Sequence, residues 1–189
     1  MLNRVTVFTG SAAGHDPLYA TAVTEFAHAL ADAGIGAVYG GGHVGLMGAF
    51  ADALVERGGE VRGVMPQALV DREIAHTRLT HLEVVANMHQ RKERMAELGD
   101  GFVALPGGAG TLEELFEAWT WQQLGIHAKP VALFDVDGFW QPLVQMIASM
   151  TEKGFIASAF SDALIVEEDP RALLKAMMAW SPLAPKWER

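Results

Sequence analysis

The residues best suited to chemistry are an arginine and a glutamate, each near the start of a helical stretch. Met88-His89-Gln90-Arg91-Lys92-Glu93-Arg94-Met95 begins one such stretch with two adjacent cations, Arg91 and Lys92, in or near its first turn. The helix dipole disfavours positive charge there, so the cations need an anion: a ligand, or an ion pair with Glu114 or Glu73. One strand–helix step later comes Leu105-Pro106-Gly107-Gly108-Ala109-Gly110-Thr111-Leu112-Glu113-Glu114. Glycines at this handover let a ligand approach the main chain, and the unpaired N–H groups of the following helix suit a phosphate. Glu113 and Glu114 point about 100° apart on a helix, so one can face a ligand while the other faces water. A cation, a carboxylate and a phosphate cradle together equip a site to cleave a bond on a phosphorylated sugar. Thr111 and Glu114 also fit the S/T-x-x-E capping box, which needs no ligand.

The elements that must position these groups alternate along the chain. Apolar runs at Val5–Phe8, Ile35–Tyr39, Glu60–Met65, Phe102–Leu105, Pro130–Phe134 and Ala163–Val166 read as strands, with a weakly alternating one at Leu82–Val85. Helical patterns run from Pro17 to about Ala33, from the Gly40-Gly41-Gly42-His43-Val44-Gly45 turn to about Arg57, over Met88–Leu98, from the Gly107 motif to about Leu124, over Gly138–Glu152, and from Pro170 to about Trp180. Residues 67–80 read as polar and irregular. Apolar strands alternating with helices predict an α/β fold, a doubly wound, mostly parallel Rossmann-like sheet flanked by helices. We expect a single domain over residues 1–180 and a loose tail over 181–189.

In such a sheet the strand C-termini and helix N-termini share one edge, where ligands bind. Three glycine turns fall on it: Gly10-Ser11, Gly40-Gly41-Gly42 and Gly107-Gly108-Ala109-Gly110. Ser11, Gly41 and Gly42 therefore join the substrate-binding candidates. None of the turns reads cleanly as the dinucleotide fingerprint: Gly40, Gly42 and Gly45 have its spacing, but the acid expected about 20 residues on is Glu60, which opens a strand. His43 and His89 are secondary candidates without a metal-like partner at helical spacing. Trp119 and Trp121 read as helix packing, and Thr120, two turns beyond Glu113, is a candidate to reach the pocket.

Composition narrows the function. The chain has 189 residues, 50% hydrophobic and 20% charged, enough for one full core. Its net charge of −9, from 14 basic and 23 acidic residues, argues against nucleic acid and anionic membrane surfaces as partners. The absence of cysteine excludes disulfides, thiolate catalysis and thiolate-bound metal. No apolar run is long enough for a membrane span, and the opening Met1-Leu2-Asn3-Arg4-Val5 shows no signal peptide. The expectation is a cytoplasmic protein. No metal or other cofactor is called for, and the lysines (Lys92, Lys129, Lys153, Lys175 and Lys186) show no motif for a pyridoxal Schiff base.

Met88-His89-Gln90-Arg91-Lys92 paired with Pro106-Gly107-Gly108-x-Gly110-Thr111-x-x-Glu114 resembles the LOG ("lonely guy") family of cytokinin riboside 5'-monophosphate phosphoribohydrolases, often mislabelled lysine decarboxylases. The resemblance spans nearly the whole chain, through Gly10-Ser11, Tyr39-Gly40-Gly41-Gly42, Gly45-Leu46-Met47-Gly48, Thr120-Trp121, Gln123-Leu124-Gly125-Ile126-His127 and Val136-Asp137-Gly138. It implies that Arg91 and Glu114 are the catalytic pair. It further implies that Glu73, Lys92, Gly107, Gly108, Ala109, Gly110, Thr111, Leu112, Glu113 and Thr120 contact the nucleotide. The implied substrate is adenosine or N6-substituted adenosine 5'-monophosphate, and the implied assembly a homodimer or an assembly of dimers with sites near the interface. Ala109 stands where plant-type members usually carry tyrosine, and Arg72-Glu73-Ile74-Ala75-His76 lacks the usual Thr-Gly pair after its glutamate. Both differences bear on base preference rather than on phosphoribosyl chemistry. The alternative on the same scaffold is a non-catalytic nucleotide or molybdenum-cofactor carrier.

Overall fold

In the computed structural model, which describes residues 1–72 and 74–187, seven strands form one sheet in the order β4-β3-β2-β1-β5-β6-β7. The strands are β1 (Arg4–Phe8), β2 (Gly36–Tyr39), β3 (Val61–Pro66), β4 (His81–Val85), β5 (Gly101–Ala104), β6 (Val131–Phe134) and β7 (Ile165–Glu167). Every neighbouring pair is parallel. The expected doubly wound sheet is therefore present, and all of it is parallel. The order reverses between β1 and β5, which makes the crevice above their C-terminal ends the natural ligand site.

The helices are α1 (Pro17–Asp32), α2 (Gly45–Glu56), the single turn α3 (Gln67–Val70), α4 (Met88–Leu98), α5 (Ala109–Gln123), α6 (Gln141–Glu152), α7 (Ser158–Asp162) and α8 (Pro170–Ala179). No helix among the described residues is long and apolar enough to cross a membrane. One face of the sheet packs through Val5, Val7 and Val103 against Phe26 and Leu30 of α1, Phe50 and Leu54 of α2, and Leu173 of α8. The other packs through Phe8, Val38 and Phe102 against Met95 of α4, Leu115 and Trp119 of α5, and Ile147 of α6. Central strands are buried on both faces, which is why they read as unbroken apolar runs. β4 lies at the sheet edge with His81, Leu82 and Val84 exposed, hence its weak alternation.

Several boundaries differ from the sequence reading, each for a local reason. The helix expected from Gly138 starts at Gln141. The buried Asp135 carboxylate accepts the Trp140 N–H at 2.7 Å and the Gln141 side-chain amide, and Asp137 (φ 50°) and Gly138 (φ 72°) turn the chain left-handed before it. The last strand begins at Ile165 rather than Ala163, because α7 buries Phe160 and Leu164 closes its turn on the Ser161 carbonyl. Residues 181–187 form no helix or strand, yet Leu183 packs on the core and the Lys186 amide donates to the Gln123 carbonyl at 2.8 Å.

The three glycine turns interlock at the switch point. The Gly10 amide donates to the Pro106 carbonyl at 3.2 Å, and the Gly10 carbonyl accepts from the Met47 amide of α2 at 3.2 Å. Gly45 has φ 56°, and a Cβ there would lie 2.3 Å from the Ser11 carbonyl oxygen. Gly45→Ala combines left-handed strain with a backbone clash and is expected to destabilise the fold by about 2 kcal/mol or more. Chemical denaturation of wild type and variant measures the difference.

Candidate active site

Arg91 is the fourth residue of α4, whose start is held by Asn87. The Asn87 side chain accepts the Gln90 amide at 3.0 Å, and the Gln90 side chain in turn accepts the Ala86 amide at 3.0 Å. This reciprocal cap is written in the sequence as Asn87-x-x-Gln90, whereas the box expected at Thr111 and Glu114 does not form. α5 begins two residues before Thr111, with Gly108 at its cap and no side-chain capping bond. Thr111 is instead buried inside the first turn, and Glu114 is the sixth residue of the helix rather than part of its first turn.

Arg91 and Glu114 meet across the C-terminal edge of β3, β2 and β1. The Arg91 Nε donates to the Val64 carbonyl at 3.1 Å and its Nη1 to Glu114 Oε1 at 3.1 Å. Each side chain is only 11% exposed. Met88 Sδ lies 4.0 Å from Nη1. The remaining guanidinium nitrogen rests on Gly40, where a Cβ would fall 1.8 Å from Nη2. The cation is thus fixed on three sides, by a strand carbonyl, a helix carboxylate and a bare backbone. Burial pushes the Glu114 carboxyl above the usual glutamate range, and the Arg91 charge opposes that rise only in part. Among the described residues, Glu114 Oε2 has no hydrogen-bond partner, so one carboxylate oxygen is held by Arg91 and the other is left for a ligand.

Beside this pair lies the N-terminus of α5, where the anion cradle is expected. The amides of Ala109, Gly110 and Thr111 precede the first helical hydrogen bond of α5, made by Leu112 to the Gly108 carbonyl. Gly108, Ala109 and Gly110 are exposed, and the first turn contains no acid. Ser11 lies exposed on the adjoining turn, with Gly41 and Gly42 buried beneath. The structure therefore brings together Arg91, Glu114, the α5 N-terminus and the three glycine turns.

Lys92, expected to contact the nucleotide, is ion-paired between two carboxylates of α5. Its Nζ donates to Glu113 Oε1 at 2.5 Å and to Glu117 Oε1 at 3.0 Å, with the side chain 12% exposed. Burial works against the ammonium, but the two carboxylates outweigh it and raise its pKa. Lys92 braces α4 to α5 and walls a narrow cavity behind Glu114, shared with Phe8, Phe102, Glu117 and Trp121. Leu112 is half-buried and Glu113 exposed on α5. Thr120 is exposed, about 9 Å by helical rise beyond Glu114 and about 16 Å beyond Ala109. Glu73 lies outside the described residues. His43 and His89 are exposed, and Trp119 is core, as its spacing suggested.

A family model described as "possible lysine decarboxylase" matches residues 47–177. A probable cytokinin riboside 5'-monophosphate phosphoribohydrolase of Oryza sativa is 44% identical over 179 residues, covering 95% of this chain and 73% of that one. A cytokinin riboside 5'-monophosphate phosphoribohydrolase of Arabidopsis thaliana is 42% identical, covering 95% and 82%. The chain belongs to the LOG family. Among solved structures, a molybdenum cofactor binding protein from Rippkaea orientalis aligns with TM-score 0.71 at 18% identity, covering 95% of this chain and 97% of that one. The molybdenum cofactor carrier protein of Chlamydomonas reinhardtii aligns with TM-score 0.71 at 20% identity, covering 95% and 99%. At such identity these two share the fold alone.

In this LOG-family chain the contact between Gly40 and the guanidinium gives a sharp test. Gly40→Ala is expected to leave the sheet intact, displace Arg91 and lower turnover by about 10²-fold, the cost typical of a misplacement near 1 Å. Circular dichroism beside steady-state kinetics separates loss of geometry from loss of fold.

Proposed function

We propose that this chain hydrolyses the N-glycosidic bond of adenosine 5'-monophosphates, N6-substituted ones included, releasing free base and ribose 5-phosphate. The observation that carries the reading is the buried Arg91–Glu114 pair beside the open N-terminus of α5. The named activity of relatives 42–44% identical over 95% of this chain supports it.

The phosphate sits at the amides of residues 109–111 and at the Gly10-Ser11 and Gly41-Gly42 turns, which places the ribose beneath it beside Glu114. As the bond from C1' to the base breaks, its electron pair leaves with the base nitrogen and positive charge grows at C1'. The Glu114 carboxylate stabilises that charge and orients the attacking water. The water oxygen bonds to C1', and one of its protons balances the departing base. Arg91 holds Glu114 in place and carries positive charge toward the phosphate side. Gly107, Gly108, Ala109, Gly110, Thr111 and Leu112 shape the cradle; Glu113 and Lys92 support it from behind through their ion pair. Glu73 and Thr120 complete the proposed substrate contacts.

We also infer a homodimer or an assembly of dimers. α6 is twelve residues long and buries only Ile147, whereas α1 buries six residues. Met146 and Phe155 are exposed on that side. Sedimentation is expected to give a mass of at least two chains; a monomer at micromolar concentration would contradict this.

The carrier alternative rests on fold alone and assigns no task to a buried arginine–carboxylate pair. The two readings part on turnover. Purified protein is expected to release free base from adenosine monophosphate or isopentenyladenosine monophosphate, the rate ratio reporting base preference. Glu114→Gln and Arg91→Ala should each cost at least about 10²-fold in kcat/KM. Because the working form of Glu114 is the carboxylate and burial raises its pKa, activity should fall as pH drops, with the acid limb of kcat/KM above the ordinary glutamate range. Folded variants retaining more than about a tenth of the activity would remove the assignment.

A further inference from the structure

The segment 74–78 folds back over the glycine turn that follows β2 and is joined to it bond by bond. The His43 amide donates to the Ile74 carbonyl at 3.0 Å, and the His43 ring Nδ1 lies 2.8 Å from the same oxygen. The His76 amide donates to the Gly41 carbonyl at 2.8 Å, and Gly42 and Ala75 form an antiparallel bridge. From below, the buried Tyr39 hydroxyl donates to the Gly42 carbonyl at 3.1 Å. This short strap and the turn therefore move as one body.

The side chain of His76, with Arg78 beside it, ties the strap to α2. It is 6% exposed, one of few buried polar groups among the described residues. Its Nδ1 accepts the Arg78 amide at 3.1 Å, so Nε2 carries the proton and donates to Asp52 Oδ1 at 3.0 Å. Asp52 sits on α2, the helix whose N-terminus grows directly out of the glycine turn. The Arg78 guanidinium, half exposed, bonds the same carboxylate from the solvent side and lies 3.6 Å from Glu56. The loop is thus closed: turn to strap by backbone, strap to α2 by His76, and α2 to turn by the chain itself. The turn so enclosed contains Gly40, the floor on which the Arg91 guanidinium rests.

We propose that His76 and Asp52 are a positioning pair, holding the strap against the glycine turn and thereby holding Gly40 beneath Arg91 in the geometry that hydrolysis requires. Neither touches the reacting atoms. The inference rests on the hydrolase reading above, and it predicts that the pair acts on turnover more than on substrate affinity.

The test compares wild type, His76→Ala, His76→Gln and Asp52→Ala by kcat and KM for adenosine monophosphate, beside hydrogen exchange at the amides of residues 43 and 76. His76→Ala and Asp52→Ala are expected to lower kcat by about 10-fold or more while KM moves less than about threefold, and to speed exchange at both amides. In His76→Gln the side-chain amide N–H can reach Asp52 much as Nε2 does, so kcat should return to within about threefold of wild type. A folded His76→Ala enzyme with wild-type kcat overturns the proposal, as does a His76→Gln enzyme as impaired as the alanine variant. Should His76→Ala fail to fold, Asp52→Ala decides: wild-type kcat overturns the pairing, and reduced kcat with faster exchange supports it. If the wild type itself releases no base, the hydrolase reading fails. The exchange rates then still judge the strap, and unchanged rates in the variants overturn it.

Discussion

The site depends on one constraint: a guanidinium taken largely out of water must find partners on every side. Arg91 does so by reaching across two elements, to the Val64 carbonyl within β3 and to Glu114 on α5, while resting on Gly40. Removing one partner from such a buried pair typically costs about 3–5 kcal/mol, because the other charge is left uncompensated. The same desolvation that makes the pair costly makes it useful. It raises the Glu114 carboxyl and keeps water from screening it.

Around that pair the fold supplies rigid walls. The reversal of strand order between β1 and β5 opens the crevice, and the three glycine turns fill its floor by bonding to one another through Gly10, Pro106 and Met47. Main-chain amides and a helix end can receive a dianion without a cluster of basic side chains. This is how a chain of net charge −9 can accommodate a nucleotide monophosphate. The nearest lysine, Lys92, is spent on neutralising Glu113 and Glu117. Its service to the site is to hold α4 and α5 together, and so to keep Arg91 and Glu114 at bonding distance.

Much of the design was legible in the chain itself. Apolar runs alternating with helical patterns determined a doubly wound parallel sheet, because strands covered on both faces must be continuously apolar. Glycines at three strand–helix handovers marked the edge proposed for the ligand, and the arginine and glutamate motifs marked the proposed reactive pair and the LOG family. Local chemistry also announced the start of α4, through Asn87 and Gln90. The same kind of local signal at Thr111 and Glu114 pointed wrongly, since a capping box describes only spacing and α5 starts earlier, at Ala109.

Tertiary structure decided what spacing cannot express. That Arg91 meets Glu114 depended on the packing of α4 against α5 and on a glycine some fifty residues away in sequence. That Lys92 pairs with Glu113 and Glu117 follows from burial, which leaves an ammonium no better choice than the two carboxylates beside it. The bond from His76 to Asp52 joins a loop that reads as irregular to a helix that reads as ordinary. Such links arise between elements distant in sequence, where neither partner's neighbours give any sign of the other, so they exist only once the sheet has brought the elements together.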